Sequence, residues 1–230
     1  MQHHILAASR PWYEGMSERL YKTTGDIFHS VTTPDELSAM DIEAVQPRYI
    51  FVPHWSWRLP ESIWNHYETI IFHMTDLPFG RGGSPLQNLI ARGFTETKIT
   101  ALRCGAELDA GPIYEKVPLS LLGSAEEIFL RAAAQIEIMI LSILQNTSEP
   151  VPQQGKPVFF ARRTPKDGNI ADLTTLAAVY DHIRMLDAEG YPPAFLHAGP
   201  LHLAFKRAVL RHGRVEADVT ITLAEEDSNA

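Results

Sequence analysis

Four short apolar runs punctuate the first 73 residues, with helical signals between the first three: His4 to Ser9, Ile27 to Val31, Tyr49 to Pro53 and Thr69 to His73. Trp12, Met16 and Leu20 recur at four-residue spacing, with Ser9 as N-cap, Pro11 as an early helical proline and Gly25 as a stop. Thr33-Pro34-Asp35-Glu36 opens a second helix with acids in its first turn. Strands alternating with helices imply a parallel sheet joined by right-handed crossovers, so the fold class expected is α/β.

Further along, Pro85 to Arg92 reads as a helix stopped by Gly93, and Thr97 to Arg103 and Pro112 to Val117 as strands. Ser124-Ala-Glu-Glu127 is a capping box that starts a helix running to about Asn146. The stretch TSEPVPQQGKP is dense in turn formers and reads as a linker. Beyond it Asp172 caps a helix carrying Leu176, Val179, Ile183 and Leu186, which Gly190-Tyr-Pro-Pro193 ends. Two strands follow. In the second, Val215, Ala217, Val219, Ile221 and Leu223 alternate with polar residues, and such a strand needs one covered face. That face is expected on the core or on a second copy of the chain, which makes a homodimer an expected partner. The tail EEDSNA is expected to fray. The divisions expected are residues 1–148 as the core, 149–156 as a linker and 157–230 as a small α+β subdomain.

A chain of 230 residues buries enough surface to need no disulfide or metal to close its core. Its single cysteine, Cys104, fits a reducing compartment. No apolar run approaches the roughly 18 residues a membrane helix needs, and MQHHILAASRPW lacks a basic leader, so a cytoplasmic location is expected. Twenty Lys and Arg against 28 Asp and Glu give a net charge of −8, which disfavours an extended grip on nucleic acid. Only RYIFVPHWSWR, ARRTPK and FKRAVLRHGR are locally basic.

No GxxxxGK[ST] loop is present, and GxGxxG does not follow the first strand, so ATP- and NAD-driven chemistry of the usual kinds finds no support. The ten histidines show neither HExxH nor Cys/His ligand spacing, and no metal is expected. His73 stands at the C-terminal end of a strand, where parallel sheets place their active sites. A stiff, glycine-rich segment from Leu77-Pro78 to Pro85 follows, and then a tight acidic turn, Glu107-Leu-Asp109-Ala-Gly111. Taken singly, a histidine at a strand end and an Asp-x-Gly turn are ordinarily structural.

In combination HMTDLP, RGGSP, TKIT and LDAGPIY resemble the ordered motifs of the formyltransferase family: Asn-x-His-x-Ser-Leu-Leu-Pro, Arg-Gly-x-x-Pro, Thr-Gly-x-Thr and Asp-x-Gly. His73 and Asp109 are 36 positions apart, the spacing that resemblance calls for. It spans roughly residues 45 to 135 and extends weakly to RRTPKDGNI and YPPAF. It implies a Rossmann-like formyltransferase core. That core is expected to be shortened at the N-terminus, because only about 50 residues precede the strand leading into PHWSWRLP. Three positions depart from the pattern: Ile71 stands where the family has its Asn, Lys98 where it has Gly, and Asp76 where it has Leu.

The resemblance implies transfer of a formyl group from formyl-tetrahydrofolate, the co-substrate, to an amine. His73 would donate to the developing oxyanion and carry protons, and Asp109 would orient the imidazole. Ile71, at the Asn position, is not itself reactive. The loop His54, Trp55, Ser56, Trp57, Arg58 and Leu59, together with Leu108 and Asp109, is implied to bind the folate, and the tryptophans either stack on a ring or form a contact patch. Thr75, Asp76, Arg81, Gly82, Gly83 and Pro85 are implied to hold the acceptor. Three readings stay open at Ile71: a backbone N–H or another side chain (Thr75, His54 or Asp76 through water) replaces the lost donor, the enzyme is slower, or the chain binds folate without transfer. The acidic charge and a region of only about 75 residues after the linker argue against tRNA, and the short β-rich tail looks most like sugar N-formyltransferases. The expected acceptor is the amine of a nucleotide-linked amino-sugar, with another small amine as the alternative.

Overall fold

Residues 1–146 and 149–224 are described by the structure, a computed structural model; the tail EEDSNA and the division at 148 lie outside them. β1 (His3–Ala8) is followed by α1 (Met16–Thr24), β2 (Ile27–Val31), α2 (Pro34–Ala39), α3 (Ile42–Val45) and β3 (Tyr49–His54). After α4 (Glu61–Trp64) come β4 (Thr69–His73), β5 (Phe79–Gly82), α5 (Pro85–Ile90), β6 (Glu96–Arg103) and β7 (Ile113–Ser120). α6 (Ala125–Asn146) and β8 (Val158–Phe160) precede α7 (Leu176–Arg184), β9 (Ala194–Ala198), β10 (Leu201–Arg211) and β11 (Arg214–Leu223).

The main sheet has the order β2-β1-β3-β4-β6-β7. β2, β1, β3 and β4 are mutually parallel; β1, β3 and β4 are largely buried, as their apolar runs require, whereas the edge strand β2 leaves Ser30 exposed. Ile5, Ile50, Phe51, Ile70 and Leu102 are fully buried in it. β6 departs from the expected parallel sheet. It runs antiparallel to β4, with Thr100 opposite His73, because apolar periodicity carries no strand direction. The chain reverses direction across the sheet between β1 and β3, and open α/β sheets take their ligands at such a switch point.

Ser9 does not cap a helix. Its N–H and hydroxyl both donate to the His54 carbonyl, at 3.1 and 3.0 Å, and tie the ends of β1 and β3 together. Pro11–Tyr13 makes a separate 3-10 turn, and α1 begins only after Gly15 at φ +69. Thr33 caps α2 and Gly25 stops α1 as the residue chemistry dictates. The capping box of α6 forms in both directions, Ser124 N–H to Glu127 at 2.8 Å and Glu127 N–H to Ser124 at 3.3 Å.

The described residues group into two units. One comprises Met1–Pro85, Thr97–Leu119 and Phe129–Phe160; the other comprises Leu86–Glu96, Ser120–Ile128 and the described residues from Ala161 on. Relative to the divisions expected at 148 and 157, two earlier segments group with the C-terminal residues, and 157–160 with the N-terminal ones. In the second unit Thr175, not Asp172, caps α7, its side chain accepting from the Ala178 N–H. Buried Arg184 donates to the Leu121 and Gly123 carbonyls at 2.6 and 2.8 Å. Three strands, not two, form the antiparallel sheet β11-β10-β9. The alternating residues of β11 are largely open in the single chain, with Ile221 59% and Leu223 73% exposed.

Candidate active site

His73 ends β4, and Asp109 sits in the tight turn between β6 and β7. Asp109 adopts φ +52, a left-handed conformation that aspartate tolerates better than most residues. Both side chains are buried, 8% and 7% exposed by residue, and His73 Nδ1 lies 3.6 Å from Asp109 Oδ2. The same carboxylate oxygen accepts the Gly82 N–H at 2.9 Å, so the backbone of the RGGSP loop orients it. On the other side of the ring His73 Nε2 is 2.8 Å from the Gly80 carbonyl. A carbonyl only accepts, so Nε2 carries a proton and donates it there. The Thr75 hydroxyl donates to the same oxygen at 3.4 Å. Gly80 permits this approach: at φ +79, a Cβ on it would lie 2.7 Å from Thr75 Cγ2 and 2.8 Å from the Phe160 ring. The imidazole is thus held between a carboxylate and a carbonyl, the setting for a group that carries a proton.

Ile71 shares a sheet face with His73, because side chains alternate along a strand. It is half-buried and packs against an apolar cluster that includes Val52, Leu59 and Ile63. Asp76, on the exposed side, is held by Lys98 at 2.9 Å and Lys116 at 2.5 Å, which lower its pKa despite partial desolvation. Two departures from the family pattern, Asp76 and Lys98, are therefore each other's partners. Arg81 and Gly82 lie in β5, which pairs with β8; the Gly83 N–H donates to the Phe160 carbonyl at 3.3 Å, and Pro85 begins α5.

In the loop that follows β3, Trp55 and Trp57 meet edge to face at 5.1 Å, and Trp57 is exposed. Ser56 is half-buried between them in sequence. Arg58 and Leu59 line a surface cavity of about 370 Å³ with Pro60, Glu61, Trp64 and Ala106. Ala106 leads into the turn that presents exposed Leu108 and buried Asp109. The structure thus brings His73, Asp109, Thr75, Arg81 and Gly82 into one bonded cluster, and Arg58 and Leu59 to the neighbouring cavity. His54 belongs to neither group. Its ring packs on Trp12, Phe129 and Tyr13, with centroids 5.4, 5.3 and 6.3 Å away. Sequence reasoning missed Gly80, Lys116 and Gln153; the last reads as one polar residue among turn formers.

Desolvation, aided by nearby Arg10, pushes the His54 pKa down from 6.5 to about 4. The folded state therefore holds this ring neutral, while the unfolded chain binds a proton below pH 6.5. Its contribution is complete above pH 6.5 and is lost as the pH falls toward 4, by about 3 kcal/mol. Burial lowers His4 in the same direction. Urea unfolding at pH 7 and pH 4.5 should show this loss, and His54→Phe should reduce the difference.

A family model for the C-terminal domain of methionyl-tRNA formyltransferase matches residues 165–222. Methionyl-tRNA formyltransferase from Campylobacter fetus is 32% identical over 131 residues, covering 55% of this chain and 43% of that protein. This chain spans about half the length of the curated relatives it matches. The solved structure of a methionyl-tRNA formyltransferase from Clostridium thermocellum is similar with a TM-score of 0.94 and 41% identity, covering 97% of this chain and 100% of that one. A likely sugar N-formyltransferase from Mycobacterium tuberculosis shares the fold at a TM-score of 0.70 and 15% identity, covering 99% and 100%. Among the described residues, no helix is long and apolar enough to cross a membrane.

Proposed function

Because the chain belongs to the formyltransferase family, we propose that it moves a formyl group from formyl-tetrahydrofolate to a primary amine, with His73 as proton carrier and Asp109 as its orienting partner. The observation that carries this reading is the 3.6 Å approach of the two buried side chains at the end of β4. The amine must be neutral to attack the formyl carbon. Its nitrogen forms the new C–N bond, the bond from that carbon to the folate nitrogen breaks, the amine loses a proton, and the folate nitrogen gains one. An imidazole held by a carboxylate suits both proton movements, and its Nε2–H would have to leave the Gly80 carbonyl to meet an oxyanion. The cavity beside Arg58 and Leu59 is within the volume range of small-molecule sites; Trp64 offers it an aromatic wall, and its two charged groups, Arg58 and Glu61, are of opposite sign.

Our reading of the acceptor is a nucleotide-linked amino-sugar. It rests on the net charge of −8 and on the β10–β11 hairpin, where Arg207 pairs with Asp218, and Arg211 and Arg214 pair with Glu216. Basic side chains already paired in this way contribute less to a phosphate-binding face. Methionyl-tRNA is the second reading, favoured by the 41% identity to a protein of that name. Incubation with formyl-tetrahydrofolate and either acceptor class, read by mass spectrometry, tests both. A gain of CO on an amino-sugar is expected. A gain on methionyl-tRNA alone would replace the acceptor, and none on any amine would overturn transfer in favour of folate binding alone.

A further inference from the structure

The segment 149–156 was expected to be a linker, yet it is bonded into the site. Val151 exchanges two backbone hydrogen bonds with Ile113, at 2.7 and 2.8 Å. The Val158 N–H reaches the Pro78 carbonyl at 3.1 Å, and β8 pairs with β5. Between these anchors Gln153 makes four hydrogen bonds. Its Nε2 donates to the Asp109 and Gly111 carbonyls at 2.8 and 2.9 Å, and its Oε1 accepts from Arg81 Nε and Nη2 at 3.2 and 2.8 Å. Carbonyls only accept and a guanidinium only donates, so the amide orientation is chemically determined.

We infer that Gln153 is a positioning residue that locks the Asp109 turn to Arg81 and so fixes the carboxylate against His73. The inference rests on the proposed transfer reading. Asp109 occupies a left-handed conformation, and its carboxylate must meet both the Gly82 N–H and the imidazole. A turn in such a conformation holds only where its surroundings over-determine it. Gln153 supplies two of the restraints and at the same time orients Arg81, which is implied to hold the acceptor. No other natural side chain of similar length offers two donors to the turn and an acceptor to the arginine. Glutamate would keep Arg81 but face the two carbonyls with an anion; methionine would keep the volume and lose all four bonds.

Gln153→Met and Gln153→Glu should therefore both lower kcat, by about 10- to 100-fold, the scale set by misplacing a reacting group by about 1 Å. KM for the amine should rise in Gln153→Met and change less in Gln153→Glu, which keeps Arg81 in place. Nitrogen-15 spectra of labelled histidine, with the His73 signals assigned by their loss in His73→Asn, give a readout independent of turnover. The His73 ring signals should move in both variants. Unmoved signals and unchanged kcat, alongside a lowered melting temperature, would make Gln153 a fold element only and overturn the inference. Wild-type protein that transfers formyl to no amine would sink the transfer reading, while the spectra would still decide whether Gln153 positions the pair.

Discussion

Replacing His73 with Asn should lower kcat for formyl transfer by about 100- to 10,000-fold, the range for a lost general acid–base group. Asparagine reaches only about as far as the ring's Nδ1, so the 2.8 Å bond from His73 Nε2 to the Gly80 carbonyl goes with the imidazole, while the amide can still face Asp109. A proton carrier acts chiefly in the transition state, so the rate should suffer far more than affinity for the formyl donor. Stopped-flow kinetics for kcat and equilibrium titration with tetrahydrofolate separate the two effects. Near-normal turnover would remove His73 from the chemistry.

Gly111→Ala should be the most damaging of the glycine substitutions near the site. A Cβ at position 111 would stand 1.8 Å from the Arg103 carbonyl oxygen. That oxygen belongs to backbone that cannot easily retreat, because the Arg103 N–H is bonded to the Pro112 carbonyl at 2.9 Å and Cys104 to Thr69 at 2.7 Å. Forcing extra atoms into such a contact costs roughly 3 kcal/mol, which in a chain of this size corresponds to a melting temperature lower by about 6–12 °C. The Gly111 carbonyl is also one of the two that Gln153 holds, so the Asp109 turn should move and transfer should fall with stability. A variant as stable and active as the parent would show that the turn yields more readily than its hydrogen bonds imply.

The elements legible in the sequence were those whose local chemistry is self-sufficient. Thr69–His73 is a buried strand, and its apolar run marks its limits. The Ser124 box opens the 22-residue α6 because both reciprocal partners lie within four residues. Asp172 and Thr175 are both good caps three residues apart, and only the surrounding structure selects Thr175. The antiparallel course of β6 and the extra strand β9 depend on where the chain returns, which no local pattern encodes.

The site divides in the same way. The approach of His73 and Asp109 followed from ordered motifs, since each residue brings its own turn. Asp76 and Lys98 looked like separate departures, but they meet only because β6 lies beside β4. Asp76, committed to two lysines, is not poised to replace the missing Asn. His54, wrapped by aromatic rings, offers no ready proton either. At position 71 the branched side chain completes an apolar cluster, so its role is packing beside the reacting groups. Gln153 was invisible because all its meaning comes from residues between 42 and 72 positions away.

The central claim is that His73 and Asp109 work as one unit in transferring a formyl group to an amine. A double-mutant cycle on kcat/KM, using His73→Asn, Asp109→Asn and the two combined, tests it most directly. Groups that act together are strongly non-additive, so the double variant should be no slower than about the slower single variant. Losses that multiply, each substitution exacting its full cost in the presence of the other, would mean that the two act separately and would contradict the account.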